Sequence, residues 1–302
     1  MTLILAGHIF EPEQDFWDDT PVANRAYVRA GIFMLSDSAI STDGGRQALD
    51  ENFPKIRCFR VMIREPQFYP DGAFHCYGPA SNAGSVGVAF AGSTLTANAV
   101  FERAAVLLED LRVSCERSLL DGALQYVLQT KTVPNPLTDR AFVTTWGDDT
   151  FTPADLAAIS IHGAVVACLN TVIEDIFAAK QKIATSAEQF RSWSADFVAA
   201  SWCARRSTSQ LHLFRPNEVT GTDGLLKFPI IHKEITAGEL VVLGMRNEFE
   251  ISAQQCFELA RNKKISTLDA MRGFMNRSIE QYRTSTGRKE IGLPVRELRL
   301  PA

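Results

Sequence analysis

The 302-residue sequence contains no Cys-x-x-Cys pair and no block of like charge. Without paired cysteines we expect neither a zinc site nor the disulfide framework of a small secreted domain, and we interpret the six cysteines as reduced thiols. The 31 Lys and Arg residues nearly balance the 35 Asp and Glu residues, so no charged surface for nucleic acid or membrane lipid is expected. A hydrophobic content of 46% excludes a disordered chain.

Signals for metals, cofactors and membranes are also missing. The five histidines show no metal-ligand spacing, and no Gly-x-Ser-x-Gly motif marks a serine hydrolase, so we expect no metal and no cofactor. The first ten residues lack the basic segment of a signal peptide. The most apolar stretch, Ile159 to Phe177, includes His162, Glu174 and Asp175, which disfavours a membrane span. We therefore predict a cytoplasmic protein with no membrane and no nucleic-acid partner.

Strand-like and helix-like segments are grouped along the sequence. A short apolar run from Thr2 to Phe10 predicts a strand at the start of the chain, and a second predicted strand covers Ala30 to Ser41. The predicted helices cover Thr94 to Leu111, Ser118 to Gln129 and Thr152 to Ile183. Because strands and helices are grouped and do not alternate, the sequence predicts an α+β fold with two central sheets, the first strand lying inside one of them.

Four residues stand at strand ends, where side chains from different strands can meet. Thr2 becomes the first residue if the initiator Met is removed, and its small side chain permits that removal. Asp37 lies near the end of the second predicted strand in Leu35-Ser-Asp-Ser, and Lys55 opens the third in Pro54-Lys-Ile-Arg57. Gly92 ends a strand in Val88-Ala-Phe-Ala-Gly-Ser-Thr94 and precedes a helix. Their order along the chain predicts a shared site, although each alone has an ordinary structural explanation.

These motifs resemble the proteasome β-subunit family of N-terminal-nucleophile (Ntn) hydrolases, most closely the bacterial HslV type. That family begins with Thr on a strand, has Asp-Ser or Asp-Gly on strand two and Lys-Val or Lys-Ile on strand three. The segment Phe90-Ala-Gly-Ser-Thr-Leu-Thr-Ala-Asn-Ala-Val-Phe-Glu102 resembles the family's Gly turn and following helix. The resemblance implies a four-layer αββα sandwich with Thr2 as the nucleophile.

The chemistry of such a site explains the residue types. A threonine hydroxyl needs a base, and the free α-amine of Thr2 can supply one, with a reference pKa of about 8. The resemblance implies that Lys55 tunes this amine, that Asp37 holds Lys55, and that the Gly92 N–H stabilises the oxyanion. It also implies that Ser41 and Ser93 contact substrate.

Two functions stay open at this stage. The first is a threonine peptidase or amidohydrolase acting on a peptide or protein substrate, in a homo-oligomer, with a ring and an unfoldase partner both implied only by the family. The second is an inactive scaffold or binding subunit, because the family's helper Ser and Asp are missing or displaced at Leu243-Gly-Met-Arg-Asn247 and Tyr282-Arg-Thr-Ser-Thr-Gly287. We predict a single domain, residues 1–302, with insertions near residues 11–28, 62–84, 114–152 and 217–238.

Overall fold

The computed structural model describes residues 2–13, 25–41, 48–117, 124–135, 137, 151–220 and 226–302. Two sheets form the centre of the molecule. The four-stranded sheet has the order β16 (Leu240–Gly244), β1 (Leu3–Pro12), β2 (Tyr27–Ser36) and β17 (Arg296–Pro301). The seven-stranded sheet has the order β10 (Leu124–Thr130), β9 (Leu111–Arg117), β5 (Ile56–Arg64), β8 (Ser81–Gly92), β11 (Ala195–Cys203), β12 (Thr208–Pro216) and β15 (Ile230–Glu234).

Short strand pairs and helices complete the described structure. The pairs are β3 (Ile40–Ser41) with β4 (Ala48–Asp50), β6 (Pro66–Phe68) with β7 (Phe74–Tyr77), and β13 (Val219–Thr220) with β14 (Leu226–Lys227). The helices are α1 (Thr94–Leu108), α2 (Pro153–Ala158), α3 (His162–Ile183), α4 (Ala187–Trp193), α5 (Arg246–Asn262) and α6 (Thr267–Thr286).

Three apolar clusters show how these elements pack. One cluster lies between the seven-stranded sheet and helices α1 and α3, and includes Phe90, Phe101 and Leu169. A second lies between the four-stranded sheet and helices α5 and α6. The third joins the two sheets and includes Ile4 and Val198. Apolar side chains of the seven-stranded sheet thus cluster with those of α1 and α3, those of the four-stranded sheet with α5 and α6, and some of both sheets with each other, which removes them from water.

The sequence-based expectation of an α+β fold is confirmed, and so is the position of the first strand. Strand β1 pairs with β16 on one side and β2 on the other, both antiparallel, and so lies inside its sheet. Its side chains alternate between two clusters: Leu3 and Leu5 face the helices, whereas Ile4 and Ala6 face the other sheet. This alternation determines which β1 side chains lie between the sheets.

Three predicted helices differ from the structure. Residues 118–123 lie outside the described residues, but Leu124–Thr130 is a strand and not the end of a helix. Tyr126 and Leu128 both pack on the core, and this spacing of two residues is that of a strand. Helix α1 ends at Leu108, and Leu111 already begins β9. The helix predicted over Thr152 to Ile183 is divided into α2 and α3.

Helix α3 is long and apolar enough to cross a membrane by length and composition. Val165, Leu169, Val172 and Phe177 are nevertheless buried in the cluster shared with α1 and the seven-stranded sheet. The same composition therefore fits a core helix, which needs an apolar stripe wherever it meets its neighbours.

The segment near residues 62–84, predicted as an insertion, contains regular structure. Strands β6 and β7 pair as a hairpin, with Phe68 packed edge-to-face against Phe74. Residues 118–123, 136 and 138–150 of the segment at 114–152, and residues 14–24 of that at 11–28, lie outside the described residues.

Candidate active site

Thr2 directly precedes β1 and is held through its carbonyl group. The carbonyl oxygen of Thr2 accepts a hydrogen bond of 2.9 Å from the Met245 N–H. Thr2 is only 7% exposed. Because side chains alternate along a strand, Thr2 belongs to the same face as Ile4 and Ala6, which lie between the two sheets. The position of the residue is therefore determined by the sheet itself.

Asp37 connects the start of β1 to Lys55. Its Oδ1 atom accepts from the Leu3 N–H at 2.8 Å and from Lys55 Nζ at 2.8 Å. Its Oδ2 atom accepts from the N–H groups of Ala39 and Gly292, at 3.0 and 3.3 Å, and from Lys55 Nζ at 2.9 Å. The Asp37 N–H also donates to the Leu3 carbonyl oxygen at 3.1 Å. One carboxylate thus fixes both the residue after Thr2 and the lysine.

The Asp37–Lys55 pair is buried as few ion pairs are. The side chains are 0% and 2% exposed, respectively. Burial raises the pKa of Asp37 and lowers the pKa of Lys55, while the attraction between the two groups opposes both shifts. The five hydrogen bonds donated to the carboxylate suit its ionised form, which only accepts. We therefore treat the pair as a carboxylate and an ammonium ion.

Gly92 is brought to the same region by β8. The Phe90 N–H donates to the Lys55 carbonyl oxygen at 3.3 Å, and Gly92 follows two residues later. Gly92 has a φ angle of +123°, and a Cβ atom there would lie 2.4 Å from the Ser194 carbonyl oxygen. Both facts require glycine at this position. The structure therefore links Asp37 to Lys55 and to the residue after Thr2, and it places Gly92 two residues beyond the strand bond to Lys55. A shared site of Thr2, Asp37, Lys55 and Gly92 stays a prediction.

Ser93 and Ser41 have a weaker connection to this site. Ser93 is the N-cap of α1, and its hydroxyl accepts from the Thr96 N–H at 3.4 Å. Its evident role is to satisfy the first turn of the helix. Ser41 belongs to strand β3, but its side chain lies outside the described residues. The predicted substrate contacts of both serines stay predictions.

Three backbone groups contribute to the site without a recognisable side-chain motif: the N–H groups of Ala39, Met245 and Gly292. Gly244 explains why the Met245 N–H can approach Thr2. Its φ is +85°, and a Cβ atom at Gly244 would lie 1.7 Å from the Thr2 carbonyl oxygen. The glycine in Val241-Val-Leu-Gly244 was the available signal, since a glycine at a strand end often permits close backbone approach.

Within the described residues, no group of three or more His, Cys, Asp or Glu side chains has the arrangement of a metal site. Lys55 and Asp37 already satisfy each other at the site edge. The chemistry available there is that of a hydroxyl, a buried ammonium and backbone N–H groups.

Comparison with known proteins gives structural neighbours only. No protein-family model matches the chain, and no curated protein is significantly similar in sequence. Among solved structures, the chain is similar to Anbu (ancestral beta-subunit) from Yersinia bercovieri, with 12% identity, a TM-score of 0.44, and coverage of 99% of this chain and 82% of that one. An Anbu (Gly-1) mutant from Hyphomicrobium sp. strain MC1 has 11% identity, a TM-score of 0.47, and coverage of 100% and 88%.

A third neighbour is described as the helical assembly of the Anbu complex from Pseudomonas aeruginosa, with 12% identity, a TM-score of 0.44, and coverage of 99% and 81%. The prediction of a proteasome β-subunit of the HslV type is therefore wrong: the neighbours found are Anbu proteins, with neither a proteasome β-subunit nor HslV among them. The motifs that suggested HslV are short and sit at strand ends. Backbone geometry at Gly92 and the ion pair at Asp37 already require these residues, so they do not distinguish one relative from another. At these scores the likeness carries no argument about activity.

Proposed function

We propose that this chain is an amide-bond hydrolase that uses Thr2 as its nucleophile after removal of Met1. The observation that carries the proposal is the carboxylate of Asp37, which binds the Leu3 N–H and the Lys55 ammonium through the same oxygen. Burying the Asp37–Lys55 pair costs desolvation free energy that apolar side chains of the same size would not. That cost, together with the hydrogen bond from the Leu3 N–H to Asp37, next to Thr2 in the chain, supports a catalytic role for the pair.

The proposed reaction begins at the Thr2 hydroxyl. Removal of Met1 frees the α-amine, which accepts the hydroxyl proton as the oxygen attacks the carbonyl carbon of the substrate amide. The Gly92 N–H stabilises the oxyanion of the tetrahedral intermediate. The protonated amine then gives its proton to the leaving nitrogen as the C–N bond breaks, which leaves an ester on Thr2. Water hydrolyses this ester and restores the hydroxyl.

Lys55 would shift the pKa values of the groups that transfer protons, and would form no covalent bond itself. Its ammonium lowers the pKa of a nearby amine because it repels the protonated, positively charged form. It lowers the pKa of the hydroxyl because it attracts the deprotonated, negatively charged form. Asp37 keeps the ammonium in place through two hydrogen bonds, of 2.8 and 2.9 Å. We assign Lys55 and Asp37 as positioning and electrostatic groups, and Thr2 as the catalytic residue.

We further propose the four-layer αββα arrangement of Ntn hydrolases, in a single domain. The three apolar clusters support it, because two join a sheet to helices and the third joins the sheets. The hydrogen bond from the Gly292 N–H to Asp37 supports one domain, since it connects the two ends of the chain at the site.

The decisive test compares the chain with and without Met1. Mass spectrometry of the purified protein identifies its first residue, and a peptide-amide library and a covalent inhibitor directed at N-terminal threonine report activity. We expect hydrolysis and labelling of Thr2 only in the chain that begins at Thr2. Thr2→Ala should abolish both, whereas Thr2→Ser should retain measurable hydrolysis because hydroxyl and amine survive.

Labelling at another residue, or hydrolysis that survives in Thr2→Ala, would contradict the mechanism. A folded chain that begins at Thr2 and neither hydrolyses nor labels would favour the inactive scaffold. The Thr2→Ala variant is also the control for contaminating peptidases, because it differs from the native chain by a hydroxyl and a methyl group.

We also propose that the chain self-associates. Leu95 and Ile251, on helices α1 and α5, are 74% and 75% exposed, and Val106 and Leu259 on the same helices are 59% and 52% exposed. Exposed apolar side chains on outer helices support burial against another copy. Light scattering that gives the mass of one chain, 33.4 kDa, at micromolar concentration would contradict this proposal.

A further inference from the structure

A groove of about 580 Å³ lies between strand β10 and the helices α2 and α3. Strand β10 is an edge strand of the seven-stranded sheet. Four consecutive residues of this strand, Gln125 to Leu128, line the groove. Because successive side chains on a strand point to opposite faces of the sheet, all four residues can border one groove only where it lies along the edge of the strand. The groove therefore follows the backbone of β10.

The outer edge of β10 has unused backbone hydrogen-bonding groups. On its inner side the strand pairs with β9 from Leu124 to Thr130, without a register shift. Beyond this pairing, no residue from Gln125 to Leu128 forms a backbone hydrogen bond with another described residue. In an antiparallel pair, every second residue directs both its N–H and its C=O away from the partner strand. Two of the four groove residues therefore present a donor and an acceptor to the groove.

The two edges of this sheet differ in their protection against a further strand. The opposite edge strand, β15, is five residues long and carries Lys233 and Glu234, both exposed. Short length and charged side chains discourage strand addition. Strand β10 has seven residues, Leu-Gln-Tyr-Val-Leu-Gln-Thr, without charge, proline or bulge. Its edge should therefore accept a further strand more readily than the edge at β15.

The helical wall of the groove leaves room for side chains. Ala158 in α2 and Gly163 and Ala167 in α3 all line the groove and are all exposed. A Cβ atom added at Gly163 would have no neighbouring atom within 4 Å among the described residues. A peptide that joins a sheet edge gains affinity from its main-chain hydrogen bonds and specificity from pockets for alternate side chains. Small residues opposite the edge provide such space.

Asp155 is the one ionised side chain in the described lining of the groove. Its Oδ2 atom accepts from the Thr152 N–H at 3.2 Å and from the Thr152 hydroxyl. Within the described part of the chain, its Oδ1 atom has no such partner and remains available to a cation. The charge of the groove is therefore complementary to a basic residue.

We propose that this groove binds an extended peptide that pairs with β10 as an eighth strand and places a basic residue next to Asp155. The backbone of the peptide bonds with the outward N–H and C=O groups of β10. Every second side chain of the peptide points to the wall formed by Gly163 and Ala167.

The groove lies far from the proposed nucleophile. Lys55 directly precedes β5, and Ile63 near the end of β5 pairs in parallel with Leu111, the first residue of β9. Because a strand rises about 3.3 Å per residue, Ile63 is roughly 25 Å from Lys55. The β9–β10 hairpin continues beyond Ile63 in the same direction. Peptide binding in the groove is therefore separate from Thr2 chemistry and does not rest on the proposed hydrolase.

Fluorescence anisotropy of labelled heptapeptides tests the proposal on the full chain. The main probe is Lys-Val-Thr-Val-Thr-Val-Lys, which reads the same in both directions, so either strand orientation can bind. A second probe has Glu at both ends. We expect the Lys peptide to bind and the Glu peptide to bind roughly fivefold more weakly, the size of effect expected for one partly exposed ion pair near Asp155.

N-methylated versions of the Lys peptide test strand pairing itself. One version is methylated at the backbone nitrogens of the odd-numbered residues, and the other at those of the even-numbered residues. An added strand directs only one of these two sets of N–H groups to its neighbour. We therefore expect one version to lose binding and the other to retain it.

Matched variants separate the groove from nonspecific binding. Ala167→Phe fills the groove from α3 and should weaken binding at least tenfold. Ala179→Phe adds the same side chain at an exposed position of the same helix outside the groove, and should leave binding unchanged. Asp155→Asn should remove the preference for the Lys peptide over the Glu peptide. Thr2→Ala should bind as the native chain does.

Failure of the Lys peptide to bind the folded native chain would overturn the proposal. Equal effects of the two methylation patterns, or equal losses in Ala167→Phe and Ala179→Phe, would also overturn it. A light-scattering mass that falls in Ala167→Phe but not in Ala179→Phe would assign the groove to a second copy of the chain instead. A thermal unfolding curve for each variant identifies any that fails to fold, and Gly163→Phe then replaces Ala167→Phe in the test.

Discussion

The two ends of the interface between the sheets hold polar groups in opposite ways. At the Thr2 end, Asp37 and Lys55 are fully buried, and every oxygen of the carboxylate is bonded within the chain. At the other end, Arg29 and Arg206 face an open cavity, and Nδ1 of the buried His8 has no partner in the described structure. Every oxygen at the first end is bonded, whereas the second keeps a buried ring nitrogen without a partner among the described residues.

The two ends therefore differ in how firmly the fold alone holds their polar groups. A buried, fully bonded ion pair holds its members in one geometry, which a nucleophile requires before any substrate arrives. Substitutions at the first end should therefore cost stability.

The largest expected effect is that of Lys55→Ala. Removing the lysine leaves Asp37 buried without its counter-ion, so we expect a loss of about 3–5 kcal/mol in the free energy of unfolding, together with the loss of hydrolysis. Urea unfolding measures the first effect. The control is Arg103→Ala, which breaks the exposed pair with Asp175, at 52% and 49% exposure, and should cost at most about 1 kcal/mol. Equal costs for the two variants would remove the distinction between the buried and the exposed pair.

Gly244→Ala should have the next largest effect on stability. The new Cβ atom would collide with the Thr2 carbonyl oxygen, and alanine is disfavoured at a φ angle of +85°. We expect a loss of about 2–4 kcal/mol, measured by the same unfolding experiment. Gly163→Ala in helix α3 is a suitable control, because a Cβ atom added there would have no neighbouring atom within 4 Å among the described residues, and it should stabilise by roughly 0.5–1 kcal/mol. A Gly244→Ala chain as stable as the native one would show that Thr2 is not held closely.

The histidines should make stability depend on pH. Burial, with the nearby rings of His232 and His162, lowers the pKa of His212 to about 4 from its ordinary value of 6.5. The unfolded chain therefore binds more protons than the folded one between these values, and stability present above pH 6.5 falls as the pH is lowered towards 4. We expect His212→Gln to reduce this dependence by roughly 1–2 kcal/mol.

Unfolding curves recorded from pH 7 to pH 5 measure this effect. His75→Gln, at an exposed histidine, is the matched control for the substitution itself. Burial also lowers the pKa of His8 and His162, so some dependence should remain in the His212 variant. If the free energy of unfolding changed equally with pH in the native and His212→Gln chains, protonation of His212 would not explain the pH dependence.

Ser93→Ala should have the smallest effect, about 1 kcal/mol of stability, through loss of the cap of α1. Ser93→Asp should restore this stability because aspartate also caps. If Ser93 only caps the helix, the KM of any substrate is unchanged in both variants. If it contacts substrate, as the sequence suggested, the KM rises in both.

Strand-end residues were the most predictable part of the site, and backbone contacts were the least. The positions of Asp37 and Lys55 at the ends of apolar strands indicated that their side chains could meet, and they form a buried ion pair. The N–H groups of Met245 and Gly292 could not be predicted in the same way, since every residue other than proline carries one and only the fold determines where it points.

The cavity was hidden from sequence analysis for a different reason. His8, His162 and Arg206 are far apart in the chain, and each has an ordinary role as a core or turn residue.

The prediction of a helix over Ser118 to Gln129 was wrong, because a period of two over the seven residues Leu124–Thr130 is a weak signal without knowledge of the neighbouring strand. The short strand-end motifs also suggested a proteasome β-subunit of the HslV type, whereas the structural neighbours reported are Anbu proteins.

The four-stranded sheet takes strands from both ends of the chain: β1 and β2 come from the first 36 residues, and β16 and β17 come after residue 239. Contacts between such distant segments close large loops, which slows folding. One hydrogen bond to Asp37 also comes from the N–H of Gly292, which is made late in synthesis. During synthesis strand β1 therefore has no complete sheet to join until the segments that form β16 and β17 have been made. The hydrogen bonds that hold Thr2 and Asp37 would therefore be incomplete until those late segments have folded onto the sheet.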